Sequence, residues 1–183
     1  MTLTQGKALR VAFGETVTRL ADSDPRIVML DGDLGSSTRA DIFEEAHPDR
    51  FFQMGIAEQN LLGVAAGMAT MGFIPFVSTF ACFAVARALD SIRVLIAQPS
   101  LNVKITGGYA GLLAGMTGKS HLMFDDVAIM RAMANMVTVA PADEVETRQA
   151  ISAIIDYEGP VYLRLTRPAT PILFSDSYRF ELG

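Results

Sequence analysis

Glu58 is the residue with the most pointed chemistry in the chain. It stands in Gly55-Ile56-Ala57-Glu58-Gln59-Asn60, and the 28 positions that follow it, Gln59–Ala86, carry no charged side chain. The segment reads as a helix whose first turn holds this lone acid and whose same face continues with Leu61, Leu62, Ala65 and Ala69. Two effects oppose one another there: the helix N-terminus favours the anion by about 0.3–1 kcal/mol, whereas desolvation raises the pKa of a buried carboxyl. A carboxyl held between them can share a proton with a ring nitrogen; on a solvated face it would only complement the helix dipole. Phe80 and Phe83, in Ser78-Thr79-Phe80-Ala81-Cys82-Phe83, either fill core or offer faces to a flat heteroaromatic ring. Cys82 between them has no visible activator.

His121 follows a glycine-rich stretch, Gly107–Gly118, and suits acid/base work better than His47; a surface or capping histidine is the plain alternative. Arg10 and Arg167 are the cations left to meet a phosphate, or to pair with surface acids. Asp31-Gly32-Asp33 lacks the third oxygen ligand of a cation site and reads as a strand-end turn, so no metal ligands are assigned. The glycines at 107, 108, 111, 115 and 118 match neither a Walker loop nor GxGxxG.

The elements that must position these residues alternate. Apolar spacing predicts a helix over Thr4–Ala21, stopped by Asp24-Pro25, then a buried strand over Ile27–Leu30 and a short one at Phe51 and Phe52. A helix over Ala57–Met71 follows, and then a strand over Phe73–Val77, which Pro75 marks as an edge or a break. Further helices are expected at Ala84–Ala97, Asp125–Met133 and Asp143–Asp156, and strands at Leu101–Thr106, Met136–Ala140 and Val161–Leu165, with Gly107–Gly118 a loop. The βα alternation predicts an α/β fold: a doubly wound, mostly parallel sheet with helices on both faces. Such sheets bind ligands beyond the carboxyl ends of their strands. The chemistry is therefore expected in the loops Asp31–Thr38, Met54–Glu58, Ser78–Phe83 and Gly107–His121. Residues 1–167 read as one domain and 168–183, with two prolines, as a linker.

Composition bounds the function. The 183 residues carry fifteen Lys and Arg against twenty Asp and Glu, a net charge of -5 with no basic run, which argues against nucleic acid. Half the residues are apolar and 19% charged, so a folded chain with a subunit interface is expected. Glycines, Pro75 and polar residues divide Gln59–Ala86 into helix, turn and strand, which argues against a membrane span. Met1–Arg10 lacks the order of an export signal, and the single cysteine fits the cytoplasm.

Gly55–Asn60, Ser78–Phe80, Asp126–Arg131 (Asp-Val-Ala-Ile-Met-Arg) and Ala140–Glu144 (Ala-Pro-Ala-Asp-Glu) together resemble, in order and spacing, the pyrimidine-binding domain of transketolases. The resemblance runs from about Lys7 to Arg167 and is nearest to the C-terminal subunit of transketolases split into two chains. 1-Deoxyxylulose-5-phosphate synthase and the beta subunit of 2-oxoacid dehydrogenases are more distant kin and supply alternative activities. A partner domain without catalysis is a further alternative.

The resemblance implies transfer of a two-carbon ketol unit between sugar phosphates with thiamine diphosphate, whose magnesium is held by a separate diphosphate-binding chain. It implies a dimer of pyrimidine domains or a heterotetramer, and a linker leading toward a C-terminal domain. Glu58 matches the glutamate that holds ring nitrogen N1′ of the aminopyrimidine. Phe83 matches the aromatic that packs on that ring, with Phe80 beside it, and Asp33 an acid near the cofactor and subunit contact. His121 matches a substrate-site histidine; Arg167, Arg10 and Ser37 match residues on the phosphate side. The chain departs from the family pattern at Gly108-Tyr109 in place of Thr-His, at Gly115-Met116-Thr117-Gly118 in place of Gly-Glu-Asp-Gly, at Ala86 in place of an aromatic, and at Leu122 in place of Gln.

Overall fold

A computed structural model describes residues 4–175 and 177–182; Met1–Leu3, with which the expected domain begins, lie outside them. The elements, in chain order, are β1 (Gln5–Ala8), α1 (Leu9–Ala21), β2 (Ile27–Asp31), α2 (Gly35–Thr38), α3 (Asp41–Ala46), β3 (Phe51–Gln53), α4 (Glu58–Thr70) and β4 (Ile74–Phe80). There follow α5 (Ala81–Ser91), which runs into a π-turn over Ile92–Ala97, then β5 (Lys104–Gly108), α6 (Asp126–Arg131), β6 (Val137–Val139), α7 (Glu144–Asp156), β7 (Val161–Arg164) and β8 (Ala169–Pro171).

Six strands form one sheet in the order β3-β2-β4-β5-β7-β6, every pair parallel. Strand side chains alternate between two cores. Ile27 and Met29 of β2 pack with Phe13 and Val17 of α1 and Ile151 and Ile154 of α7, whereas Val28 and Leu30 pack with Leu61 and Leu62 of α4 and Val85 of α5. This is the doubly wound packing expected from the alternation. No helix among the described residues is long and apolar enough to cross a membrane.

Three expectations need correction. Pro75 lies in β4, a central strand paired with both β2 and β5, and not at an edge or a break. Ile74 N–H donates to Arg26 O, so the alternation of the ladder turns the Pro75 nitrogen toward β5. Pairing with β5 starts only at Phe76 opposite Lys104.

The first helix starts at Leu9, where its apolar repeat starts; Gln5–Ala8 is a strand that pairs antiparallel with β8. Gly6 permits the close crossing, since a Cβ there would lie 2.9 Å from Ile172 Cγ1. The segment after Arg167, read as a linker, is therefore packed against the domain as far as it is described. Asp143 Oδ2 accepts the N–H groups of Leu173 and Phe174, Tyr178 OH donates to Glu146, and Phe180 N–H donates to Gln149.

Third, Gly107 and Gly108 belong to β5 and not to a loop. A Cβ on Gly107 would lie 2.2 Å from the Tyr162 hydroxyl, so glycine is required by the neighbouring strand.

Candidate functional site

The carboxyl ends of β2, β4 and β5, with the start of α4, converge on one hollow. Asp31, fully buried, fixes the turn after β2: its Oδ2 accepts from Leu34 N–H (2.9 Å), Gly35 N–H (3.1 Å) and Gln53 Nε2 (3.1 Å). Burial pushes the Asp31 pKa up, and those hydrogen bonds oppose the shift without cancelling it. Asp31-Gly32-Asp33 is thus a strand-end turn, as its sequence suggests. The turn carries Asp33, exposed and at a φ of 63°, to the rim of the hollow. A left-handed conformation in a residue other than glycine is uncommon enough to mark a constrained position.

Glu58 opens α4 and is only 5% exposed, so the helix does turn this acid inward. It is not unpaired. Arg87 Nη1 lies 2.7 Å from Glu58 Oε1, and the Arg87 guanidinium carbon sits 3.9 Å from the centre of the Phe83 ring. Phe83, on the first turn of α5, is followed toward the sheet by Phe80 (ring centres 5.6 Å apart) and then Tyr109 (4.0 Å from Phe80). His121 meets this aromatic row edge-on, 5.2 Å from Phe83 and 6.0 Å from Phe80. Glu58, Phe83, Arg87, His121, Asp33, Gly32, Leu34 and Ile56 together line a cavity of about 280 Å³.

The other end of the aromatic row is cationic. Arg10 and Arg167 lie over Tyr109, their guanidinium carbons 5.9 and 5.3 Å from its ring centre. Arg10 Nη1 also donates to Ser37 O at 2.6 Å. Burial raises the Tyr109 phenol, but hydrogen bonds with Arg167 and Ser37 and the two positive charges outweigh it and hold the pKa below the ordinary value. Arg10 Nε and Arg167 Nε are buried and find no acceptor among the described residues. Two guanidinium groups with donors to spare form an end suited to an anion.

The candidate residues therefore fall into two groups on one ridge. Glu58, Phe83, His121 and Asp33 share the hollow; Phe80 links it, through Tyr109, to Arg10, Arg167 and Ser37. Cys82 points into the core, where burial pushes its thiol up, away from nucleophilic use. Among the described residues no cluster of three or more His, Cys, Asp or Glu could hold a metal ion.

Sequence reasoning missed Arg87 and Tyr109 as members of the site. Arg87 had a signal, since it is the first charge after the long neutral run and the nearest cation C-terminal to Glu58. Tyr109 stands at a φ of 57°, a conformation with no trace in its residue type.

Residues 5–172 match the family described as the transketolase pyrimidine-binding domain. The chain is 46% identical over 179 residues to a putative transketolase C-terminal section from Methanocaldococcus jannaschii, covering 97% of this chain and 57% of that protein. It is 38% identical over 175 residues to a 6-deoxy-6-sulfo-D-fructose transketolase subunit from a Clostridium species, covering 96% and 54%. Among solved structures, a split-gene transketolase described as an inactive beta4 tetramer superposes with a TM-score of 0.86 at 48% identity, over 96% of this chain and 57% of that one. The chain thus spans about half the length of these relatives. With both the family match and these identities extending over nearly all of its residues, the chain belongs to the transketolase family, as a pyrimidine-binding domain.

Proposed function

We propose that this chain supplies the pyrimidine half of a thiamine diphosphate site in a two-chain, cytoplasmic transketolase that moves a two-carbon ketol unit between anionic sugars. The observation that carries the reading is the Glu58 carboxylate, 5% exposed, facing Phe83 and His121 across one hollow. The hollow fits the group: it joins a buried acid, an aromatic face and a nearby imidazole. Bound there, the cofactor supplies a carbon nucleophile for breaking and remaking the bond beside a ketose carbonyl.

The chain's own residues then have separate tasks. Glu58 holds a proton at the N1′ position of the ring and so fixes its tautomer. Phe83, backed by Phe80, orients the ring by its face. His121, edge-on to both phenylalanines, is positioned to move a proton at the substrate's oxygen atoms. Arg10 and Arg167, with Tyr109 and Ser37, hold the anionic tail of the sugar, phosphate or sulfonate. Asp33 meets the partner subunit at the rim.

The diphosphate and its magnesium belong to a separate chain, a reading supported by relatives described as a transketolase C-terminal section, a transketolase subunit and a split-gene transketolase. The pyrimidine domains pair as a dimer or within a heterotetramer, and residues 168–183 lead toward a C-terminal domain.

Reconstitution with a diphosphate-binding chain tests the reading. Ketose phosphate donors are expected to be turned over and pyruvate refused. Glu58→Gln is expected to lower kcat by about 10²-fold or more with assembly intact. Unchanged turnover in that variant would sink the assignment.

A further inference from the structure

Arg87 occupies the two contacts that the proposed function assigns to the aminopyrimidine. Its guanidinium is a flat, delocalised cation that lies 3.9 Å from the Phe83 ring centre and donates from Nη1 to Glu58 Oε1 at 2.7 Å. A ring that stacks on Phe83 and bonds to Glu58 needs both positions at once.

The ion pair also borders two hollows: that of about 280 Å³ with Phe83 and His121, and a second of about 400 Å³ lined by Ala57, Glu58, Gln59, Asn60 and Arg87. The two partners differ in freedom. Glu58 is 5% exposed on its side chain and fixed in the first turn of α4, whereas the Arg87 side chain is 47% exposed. The Arg87 main chain is held, because its carbonyl accepts from Gln59 Nε2 at 3.1 Å, and helical geometry breaks at the next residue, Ala88 (φ -127°, ψ 22°). Displacement is therefore a swing of the side chain into water, with α5 left in place.

We propose that Arg87 is a resident stand-in for the aminopyrimidine: it keeps the buried Glu58 carboxylate paired while the hollow is empty, and it must be expelled for thiamine diphosphate to seat. Arg87 thereby sets the affinity and the rate of cofactor uptake. This inference rests on the proposed function.

The test uses this chain assembled with its diphosphate-binding partner and magnesium, with thiamine diphosphate itself as the probe. Binding is followed by titration calorimetry and stopped-flow mixing. Arg87→Ala is expected to bind the cofactor about five- to fiftyfold more tightly than wild type and to associate faster. Arg87→Lys, which keeps a cation near Glu58 but loses the planar stack, is expected to fall between them. Its intermediate value is readable even if the alanine variant assembles poorly. Equal affinity in wild type and both variants overturns the proposal, and so does weaker binding, which would place Arg87 among the groups that hold the cofactor. A wild-type complex that binds no thiamine diphosphate refutes the functional reading itself, an outcome distinct from binding that ignores Arg87.

Discussion

The chemistry of single residues here is set by what each one is buried against. His121 meets the two phenylalanines of the ridge by its edge and bonds through Nδ1 to Ser120 Oγ at 2.9 Å, which leaves Nε2 as the nitrogen for the proton transfer proposed above. His121→Ala is expected to lower kcat by about 10²-fold in the assembled enzyme while thiamine diphosphate affinity stays within twofold, read by steady-state kinetics beside calorimetry.

Lys104, at the start of β5 and far from that ridge, is wholly buried, and its ammonium donates to Tyr157 O and Gly159 O. Burial pushes its pKa from 10.5 down to about 7. Between those values the unfolded chain binds the proton and the native one does not. Stability therefore rises with pH across that window, by up to ~1.4 kcal/mol per unit. Below it both states are charged, and the full cost of the buried ammonium is carried. Thermal unfolding followed upward from neutral pH is expected to show this slope in wild type and to lose it in Lys104→Met.

Of the site residues, Glu58, Phe83 and His121 were legible as types in a suspicious setting, because a lone acid before a neutral helix is visible in one dimension. Arg87 and Tyr109 were not, since each matters through neighbours that only the fold brings near.

The elements owe their positions to a few close approaches. Gly107 of β5 lies against the Tyr162 ring, whose hydroxyl donates to the buried Asp126 at 2.8 Å while Arg164 Nε donates to the same oxygen at 2.8 Å. Burial and the adjacent Asp126 keep the Tyr162 phenol protonated well above its usual range. Gly107→Ala is expected to cost about 3 kcal/mol in urea unfolding through overpacking against this network. Gly108→Ala, where the nearest atom to a new Cβ is Thr38 Cγ2 at 3.4 Å, is expected to cost much less.

Asp143 caps α7 by accepting from Glu146 N–H at 2.8 Å and also pins Leu173 and Phe174. Burial raises its carboxyl, but these backbone donors outweigh it and leave the pKa low. Its contribution is thus complete above the ordinary aspartate range and is lost as pH falls through the lowered native value. Asp143→Ala is expected to lose ~1–2 kcal/mol at neutral pH and to weaken acid denaturation of the wild-type kind.

Element types were readable from periodicity nearly everywhere. Their edges were not, where glycine serves a neighbour's side chain (Gly107) or proline sits one residue before pairing with the next strand, β5, begins (Pro75).

At the scale of the molecule, several exposed apolar side chains belong to the segments that carry Glu58 and His121 to the hollow. Ile56 precedes α4, and Leu112, Leu113, Met116 and Phe124 follow β5, each more than half exposed. A patch of this kind is unusual for a surface facing water and fits a subunit contact. Leu112→Ser with Met116→Ser is expected to weaken assembly with the diphosphate-binding chain by about tenfold or more, read by sedimentation, with the far-ultraviolet spectrum unchanged. The parallel sheet covered on both faces follows from the alternating pattern, whereas the strand contributed by Ala169–Pro171 was hidden by its shortness and its proline.

That strand matters beyond its size. Ala8 and Ala169 are register partners in the antiparallel pair, with Arg10 two residues beyond the first and Arg167 two before the second. The two guanidinium groups that flank Tyr109 are thus suspended from a single buckle joining stretches of sequence some 160 positions apart. Prying it open from either side would spare the sheet, yet it would part the two cations proposed to grip an anion.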